Sequence, residues 1–143
     1  MPLYGHELGE EINALSCGVD FAISMDKDKA ERGEAFIGMD ALKRTVDEGG
    51  PKRKLVGIEL EGKRTARQGM AIKAGDSDVG IVSSACLSPT LGKAIAMGFA
   101  DVERSEPGAA VQIDTGRGVL DGRIVKLPKR CSSVARADSF QAP

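Results

Sequence analysis

From residue 52 to residue 127 the apolar residues come in short runs with a period of two, and turn-forming clusters separate the runs. Such alternation suits extended chain with one face in a core and the other outside, and it does not suit helices. In the first run Val56, Ile58 and Leu60 alternate with Leu55, Gly57 and Glu59. In the fourth, Ile95, Met97 and Phe99 share one face, while Ala94, Ala96, Gly98 and Ala100 share the other. That small face leaves room for another layer to approach closely. The candidate strands are 54–60, 69–73, 78–83, 94–100, 110–115 and 119–127. Gly75-Asp76-Ser77-Asp78, Glu106-Pro107-Gly108 and Gly116-Arg117-Gly118 supply turn chemistry between them, and Ser83-Ser84 and Ser88-Pro89 read as a turn after the third run. Six short strands at near-regular spacing predict a small antiparallel barrel or sandwich.

The first 51 residues follow a different pattern. Val19, Phe21, Ile23 and Met25 alternate with Asp20, Ala22 and Ser24, which predicts a half-buried strand. The charged run Asp26 to Glu34 reads as an exposed loop. Residues 39–48 predict a short helix, with Leu42 and Val46 on one face and Asp40 in the first turn, where the helix dipole favours a negative charge. Gly49-Gly50-Pro51 ends it and marks a plausible domain junction. After residue 128 the periodicity is lost, and a disordered or loosely docked arm is expected.

Composition excludes several functions. Twenty basic residues face 21 acidic ones, so no charge bias points to nucleic acid or an anionic membrane. Lys52-Arg53-Lys54 and the arginines between 130 and 136 read as solvated surface. No apolar run approaches the ~20 residues of a membrane span, and the opening residues carry neither the basic nor the apolar region of a signal peptide. With Tyr4, four phenylalanines and no tryptophan, the core must be built from aliphatic side chains. Cys17, Cys86 and Cys131 are odd in number and fit no disulfide or zinc spacing, so reduced thiols in a cytoplasmic setting are expected. His6 is the sole histidine, which leaves no His-rich metal site and only one base for a serine triad. Glycine-rich nucleotide-binding motifs are absent. Glu10-Glu11 and the acids near Asp26 read as surface carboxylates. Taken alone, these features describe a β-rich domain without a visible active site.

Several short stretches, in order, resemble the glycine cleavage T-protein (aminomethyltransferase) family. They are Leu3-Tyr4-Gly5-His6-Glu7-Leu8, Phe36-Ile37-Gly38 with Ala41-Leu42, Leu55-Val56-Gly57-Ile58, Arg67 with Gly69, Ser84 with Ser88-Pro89-Thr90-Leu91-Gly92 and Ile95-Ala96-Met97, and Val125-Lys126-Leu127-Pro128. The resemblance covers residues 2–128 and is to the C-terminal part of the family. It departs at Ser83 and Ala85, where the family has the Thr and Gly of Thr-Ser-Gly, at Phe21, which stands near a usual Trp, and after Pro128. It implies a short αβ remnant of the catalytic region (1–51), a six-stranded antiparallel Greek-key barrel (52–128) that makes the chain mainly β, and a divergent tail (129–143).

The family activity so implied moves an aminomethyl group from a lipoyl-carrying H-protein to tetrahydrofolate and releases ammonia. Its catalytic Asp and most pteridine-binding groups would lie upstream of everything present, so Met1 reads as an internal methionine or the start of a truncated frame. No catalytic or metal-ligating residue carries over, and Arg67 is the one folate-contact candidate, set against an ordinary salt-bridged surface arginine. The chain is therefore expected to be inactive alone. Val19, Phe21, Ile23 and Met25, with Leu3 and Tyr4, would form an uncovered face that binds an N-terminal catalytic chain or a second copy. Two other readings remain: a non-catalytic packing module for a separate catalytic chain, and the matching region of a folate-dependent dimethylglycine or sarcosine dehydrogenase. Leu3-Tyr4-Gly5 favours the T-protein over that last relative.

The cysteine arithmetic gives a direct test. Thiol titration of the unfolded, unreduced chain should return three free thiols per molecule, and a lower value would reveal a bridge.

Overall fold

The computed structural model describes residues 2–29 and 33–127. Six strands form a closed antiparallel barrel: β1 (Arg53–Leu60), β2 (Ala71–Ala74), β3 (Ser77–Ser88), β4 (Lys93–Asp101), β5 (Ala110–Asp114) and β6 (Val119–Val125). Around the barrel they run β1-β4-β3-β2-β5-β6. Three hairpin-connected strands, β2 to β4, have β1 laid beside the last of them, which is a Greek key. The fold is mainly β, as the sequence predicts, and the barrel region adds only a 3-10 turn at Val102–Arg104.

One face of every strand fills the interior. Val56, Ile58 and Leu60 meet Ile72, Val79, Val82, Val111, Ile113, Leu120 and Ile124 in a continuous aliphatic core. The small face of β4 belongs to this interior, because Ala94, Ala96, Gly98 and Ala100 are all buried there. The layer that approaches this small face is the barrel's own opposite wall. A six-stranded barrel has a narrow lumen, and a wall of alanine and glycine leaves space for the branched side chains of its neighbours. A β-carbon at Gly98 would lie 2.5 Å from the Ile81 carbonyl oxygen and 2.7 Å from Ile72 Cδ1.

Three strands differ by two residues or more at one end from those read in the sequence. β3 continues to Ser88, so Ser83-Ser84 and Ser88 are strand residues and not a turn. The β3–β4 hairpin turns only after Ser88, whose carbonyl accepts from Gly92 N–H at 2.9 Å. β2 begins at Ala71, because Gly69 takes a positive φ of 85° and donates its N–H to the Val82 carbonyl. β6 ends at Val125.

Among the described residues ahead of the barrel, one helix, α1 (Met39–Asp47), accompanies three single 3-10 turns. α1 closes with Gly50 N–H donating to the Thr45 carbonyl and Gly49 N–H to that of Val46, both glycines at positive φ. This left-handed glycine cap is the ending that Gly49-Gly50-Pro51 predicts. The predicted strand over Val19–Met25 is not formed. Asp20–Ala22 is a 3-10 turn, with Ala22 N–H donating to Val19 and Ile23 N–H to Asp20. Alternation stabilises a strand only when a neighbouring strand completes its hydrogen bonds, and here the local i→i+3 bonds take the donors instead. Phe21 is left 88% exposed. Cys17 and Cys86 are free thiols, and the expectations for Cys131 and the tail fall outside the described residues. No helix among the described residues is long and apolar enough to cross a membrane.

The crowding at Gly98 yields a stability test. Gly98→Ala should lower the unfolding free energy by about 1–3 kcal/mol through overpacking, read as a lower urea midpoint at unchanged m-value.

Candidate functional site

β3 carries an irregularity in its middle. Its register against β4 shifts between Val82, opposite Gly98, and Ser84, opposite Met97, so Ser83 is an extra residue. Such a bulge locally breaks the ladder and redirects side chains. The hydroxyls of Ser83 and Ser84 converge on one acceptor, Glu7 Oε1, which they reach at 2.6 and 2.7 Å. The second oxygen, Oε2, accepts Leu3 N–H at 2.9 Å. Glu7 is completely buried. His6 Nδ1 lies 3.3 Å from the Ser83 carbonyl, a position from which an Nδ1–H would donate.

The loop that carries Glu7 is equally determined. The Leu3 carbonyl accepts from the N–H groups of His6, Glu7 and Leu8, and Gly5, at a φ of 92°, donates to the Leu8 carbonyl at 2.7 Å. The buried carboxylate thus fixes a tight turn whose outer residues face solvent, with Leu3 61% and Tyr4 74% exposed.

Burial pushes the Glu7 carboxyl pKa up. The hydrogen bonds from Ser83, Ser84 and the Leu3 N–H, with the nearby His6, outweigh that and hold it below the ordinary glutamate value. With both oxygens occupied, this carboxylate is built to hold two segments together and not to exchange protons with a substrate.

Ser84 also lines a groove of about 380 Å³ on the outer wall of the barrel. Its other outward residues are Cys86, Ile95, Met97, Val125 and Leu127, over Gly57. Leu127 leans on Gly57, where a β-carbon would meet its Cδ2 at 2.9 Å. The apolar wall continues along the strands through the cross-strand row Leu55, Phe99 and Ile81. Cys86 forms no hydrogen bond with a described residue, so no base accompanies this thiol. Cys17 is buried and donates to the Asn13 carbonyl, and its burial raises the thiol pKa.

The residues singled out in the sequence are not brought together. Arg67 stands exposed on the β1–β2 connection, whose Gly69 donates to Val82 next to the bulge, and it forms neither a side-chain hydrogen bond nor an ion pair with any described residue. Its backbone is fixed, since its carbonyl accepts from Met70 N–H. Glu10, Glu11 and Asp26 are exposed. No group of three or more potential metal ligands occurs among the described residues. Of the uncovered face expected around residues 19–25, Phe21, Leu3 and Tyr4 are exposed, while Val19, Ile23 and Met25 are half-buried. Glu7 was not legible as a site residue, although two adjacent serines inside a β-run are the signal that could have pointed to a bulge.

Comparison with known proteins identifies the family of the barrel. Residues 53–129 match the sequence profile of the glycine cleavage T-protein C-terminal barrel domain. The aminomethyltransferase of Symbiobacterium thermophilum is 41% identical over 128 residues, covering 90% of this chain and 32% of that protein. Those of Rubrobacter xylanophilus and Bacillus pumilus are 41% and 36% identical, again across 90% of this chain and 32% and 33% of theirs. The chain thus spans about a third of the length of these relatives. The crystal structure of glycine cleavage system aminomethyltransferase T from Bartonella henselae superposes with a TM-score of 0.77 at 21% identity, over 90% of this chain and 35% of that one. At that identity the likeness concerns the fold.

The carboxylate's depressed pKa sets the sign of a pH test. Its contribution is complete above the unfolded glutamate pKa and is lost as pH falls through the lower folded value. Glu7→Gln should cost about 2 kcal/mol at pH 7. In urea titrations from pH 7 down to pH 3 the gap to the parent chain should close on the acid side.

Proposed function

Since the chain belongs to the glycine cleavage T-protein C-terminal barrel family, we propose that it supplies the barrel portion of a tetrahydrofolate-dependent aminomethyltransferase and is not the part that performs the transfer. The reaction would be the family's, from lipoyl H-protein to tetrahydrofolate with release of ammonia. The carrying observation is one of coverage: 90% of this chain aligns with only about a third of proteins named aminomethyltransferase. The chemistry of the chain supports the same reading. A folate pocket needs polar groups aimed at the pterin ring and a carboxylate beside the reacting nitrogen. The wall groove offers aliphatic and sulfur side chains, and the one hydroxyl in it is committed to Glu7. That lining does not fit a pterin, so no step is assigned to it.

Arg67 keeps a role as a folate contact within this proposal. Its guanidinium is exposed and unpaired with described residues, which suits it to a folate carboxylate at the edge of a pocket formed by other segments. The reading as a packing module for a separate catalytic chain has one observation in its favour, the apolar outer wall of β1, β4 and β3, and it differs from the first only in whether the catalytic portion is covalently joined. A cytoplasmic setting accords with the free thiols Cys17 and Cys86.

With tetrahydrofolate and aminomethylated H-protein, the chain alone should give no turnover above the uncatalysed rate. A chimera in which it replaces the matching third of the Symbiobacterium thermophilum enzyme should be active, and Arg67→Ala in that chimera should raise the KM for tetrahydrofolate roughly tenfold. Turnover by the isolated chain near that of a full-length enzyme would refute the proposal, and an inactive but folded chimera would remove its main support.

A further inference from the structure

The cysteines are placed very differently. Cys17 is buried and donates to the Asn13 carbonyl, out of reach of an oxidant in solution. Cys86 is exposed, lines the wall groove on the outward face of β3, and forms no hydrogen bond with a described residue. Leu127, the last described residue, lines the same groove from the β6 side and leans on Gly57. The chain thus runs off the barrel at the groove that carries Cys86. Cys131, which lies outside the described residues, follows Leu127 by four residues and comes directly after Lys129-Arg130. Gly57 pairs with Met97, and Met97 with Ser84, two residues before Cys86. With about 4.8 Å between strands and about 3.3 Å per residue, Gly57 and Cys86 lie roughly 12 Å apart. Four extended residues span up to about 14 Å, and bonded cysteines keep their α-carbons about 5.5 Å apart. The two thiols can therefore meet without movement of any described residue, with several ångströms left for the offset of Leu127 from Gly57.

We infer that Cys86 and Cys131 form a redox clasp, an intramolecular disulfide that straps residues 128–130 over the groove when the chain is oxidised and is open when it is reduced. In a reducing setting all three thiols are free, and disulfides that do form there are transient and redox-sensing. The oxidant is glutathione disulfide. Lys129 and Arg130, next to Cys131 in sequence, favour its thiolate. That sulfur attacks glutathione disulfide, whose S–S bond breaks, and one glutathione leaves as a thiolate. Cys86 then gives up its proton and attacks the Cys131 sulfur of the mixed disulfide, expelling the second glutathione. Two protein thiols and one glutathione disulfide become one protein disulfide and two reduced glutathiones. Burial, which raises the Cys17 thiol pKa, keeps that residue out of the exchange. The clasp is independent of the proposed function.

The test treats the folded 143-residue chain with glutathione disulfide. The thiol count should fall from three to one with no gain in mass from glutathione, and peptide mapping should join Cys86 to Cys131 within one chain. Reduced glutathione should restore all three thiols. The ratio of ring closure to mixed disulfide should be at least tenfold higher in the folded chain than in urea, because the barrel holds one thiol beside the exit of the segment that carries the other. Cys86→Ser and Cys131→Ser, each melting like the reduced parent, should stop at the glutathione adduct. Oxidation of the folded parent that ends at adducts, joins two chains, consumes Cys17, or closes the ring no more readily than in urea overturns the inference.

Discussion

The interior of this barrel has room for its own side chains because one wall contributes almost none. Along β4 the inward positions are alanine, alanine, glycine and alanine, and opposite them stand isoleucine, leucine and valine from the other strands. Closing six strands brings facing walls so near that bulk on both sides would force strained rotamers or open the ring. The division of volume between strands is therefore the condition for closure. Closure in turn removes the sheet edges, which would otherwise offer unpaired N–H and C=O groups to other chains. The same arithmetic explains the outside of β4: with small residues inward, its large residues have nowhere to go but the outer wall.

A second constraint ties the N-terminal segment to this ring. Among the described residues from 2 to 52 there are one helix and three single turns, and none of them forms a strand that could join the barrel. Glu7 reaches a partner 76 residues away in Ser83. Burying a carboxylate is costly unless donors replace its water, and three donors do so here. The β3 bulge makes this possible, because a regular strand would turn adjacent side chains to opposite faces.

Much of the barrel is readable in the chain, and the reasons are local. Val56-Ile58-Leu60 and Ala94 to Ala100 alternate because each strand has one outer side and one core side, and Gly49-Gly50 marks the end of α1 by its need for positive φ. The failures are nonlocal. Val19 to Met25 alternates as well as any strand, yet no strand among the described residues pairs with it to complete its bonds. Ser83-Ser84 looks like turn chemistry until the pairing with β4 shows it to be a bulge within one long strand. The direction of the small face of β4 could not be read, since periodicity separates two faces without saying which is inside. Glu7 was hidden for a related reason: an acid in a short loop looks like surface until the topology supplies its serines. Arg67 was visible only through family resemblance, and the structure adds a fixed backbone and a guanidinium unpaired with any described residue.

The order of strands around the ring also bears on how such a chain is born. β1 pairs on one side with β4 and on the other with β6, so the first strand of the barrel keeps an open flank until the last has been made. During synthesis at roughly 5–20 residues per second, the hairpins β2–β3 and β3–β4 can form early from neighbouring segments, but the ring can only be sealed by a contact between its two sequence extremes. Folding of this module is therefore completed only after β6 has emerged, and until then the nascent chain carries an unpaired edge beside an oily wall. A chaperone bound to the nascent chain would be well placed to shelter that edge.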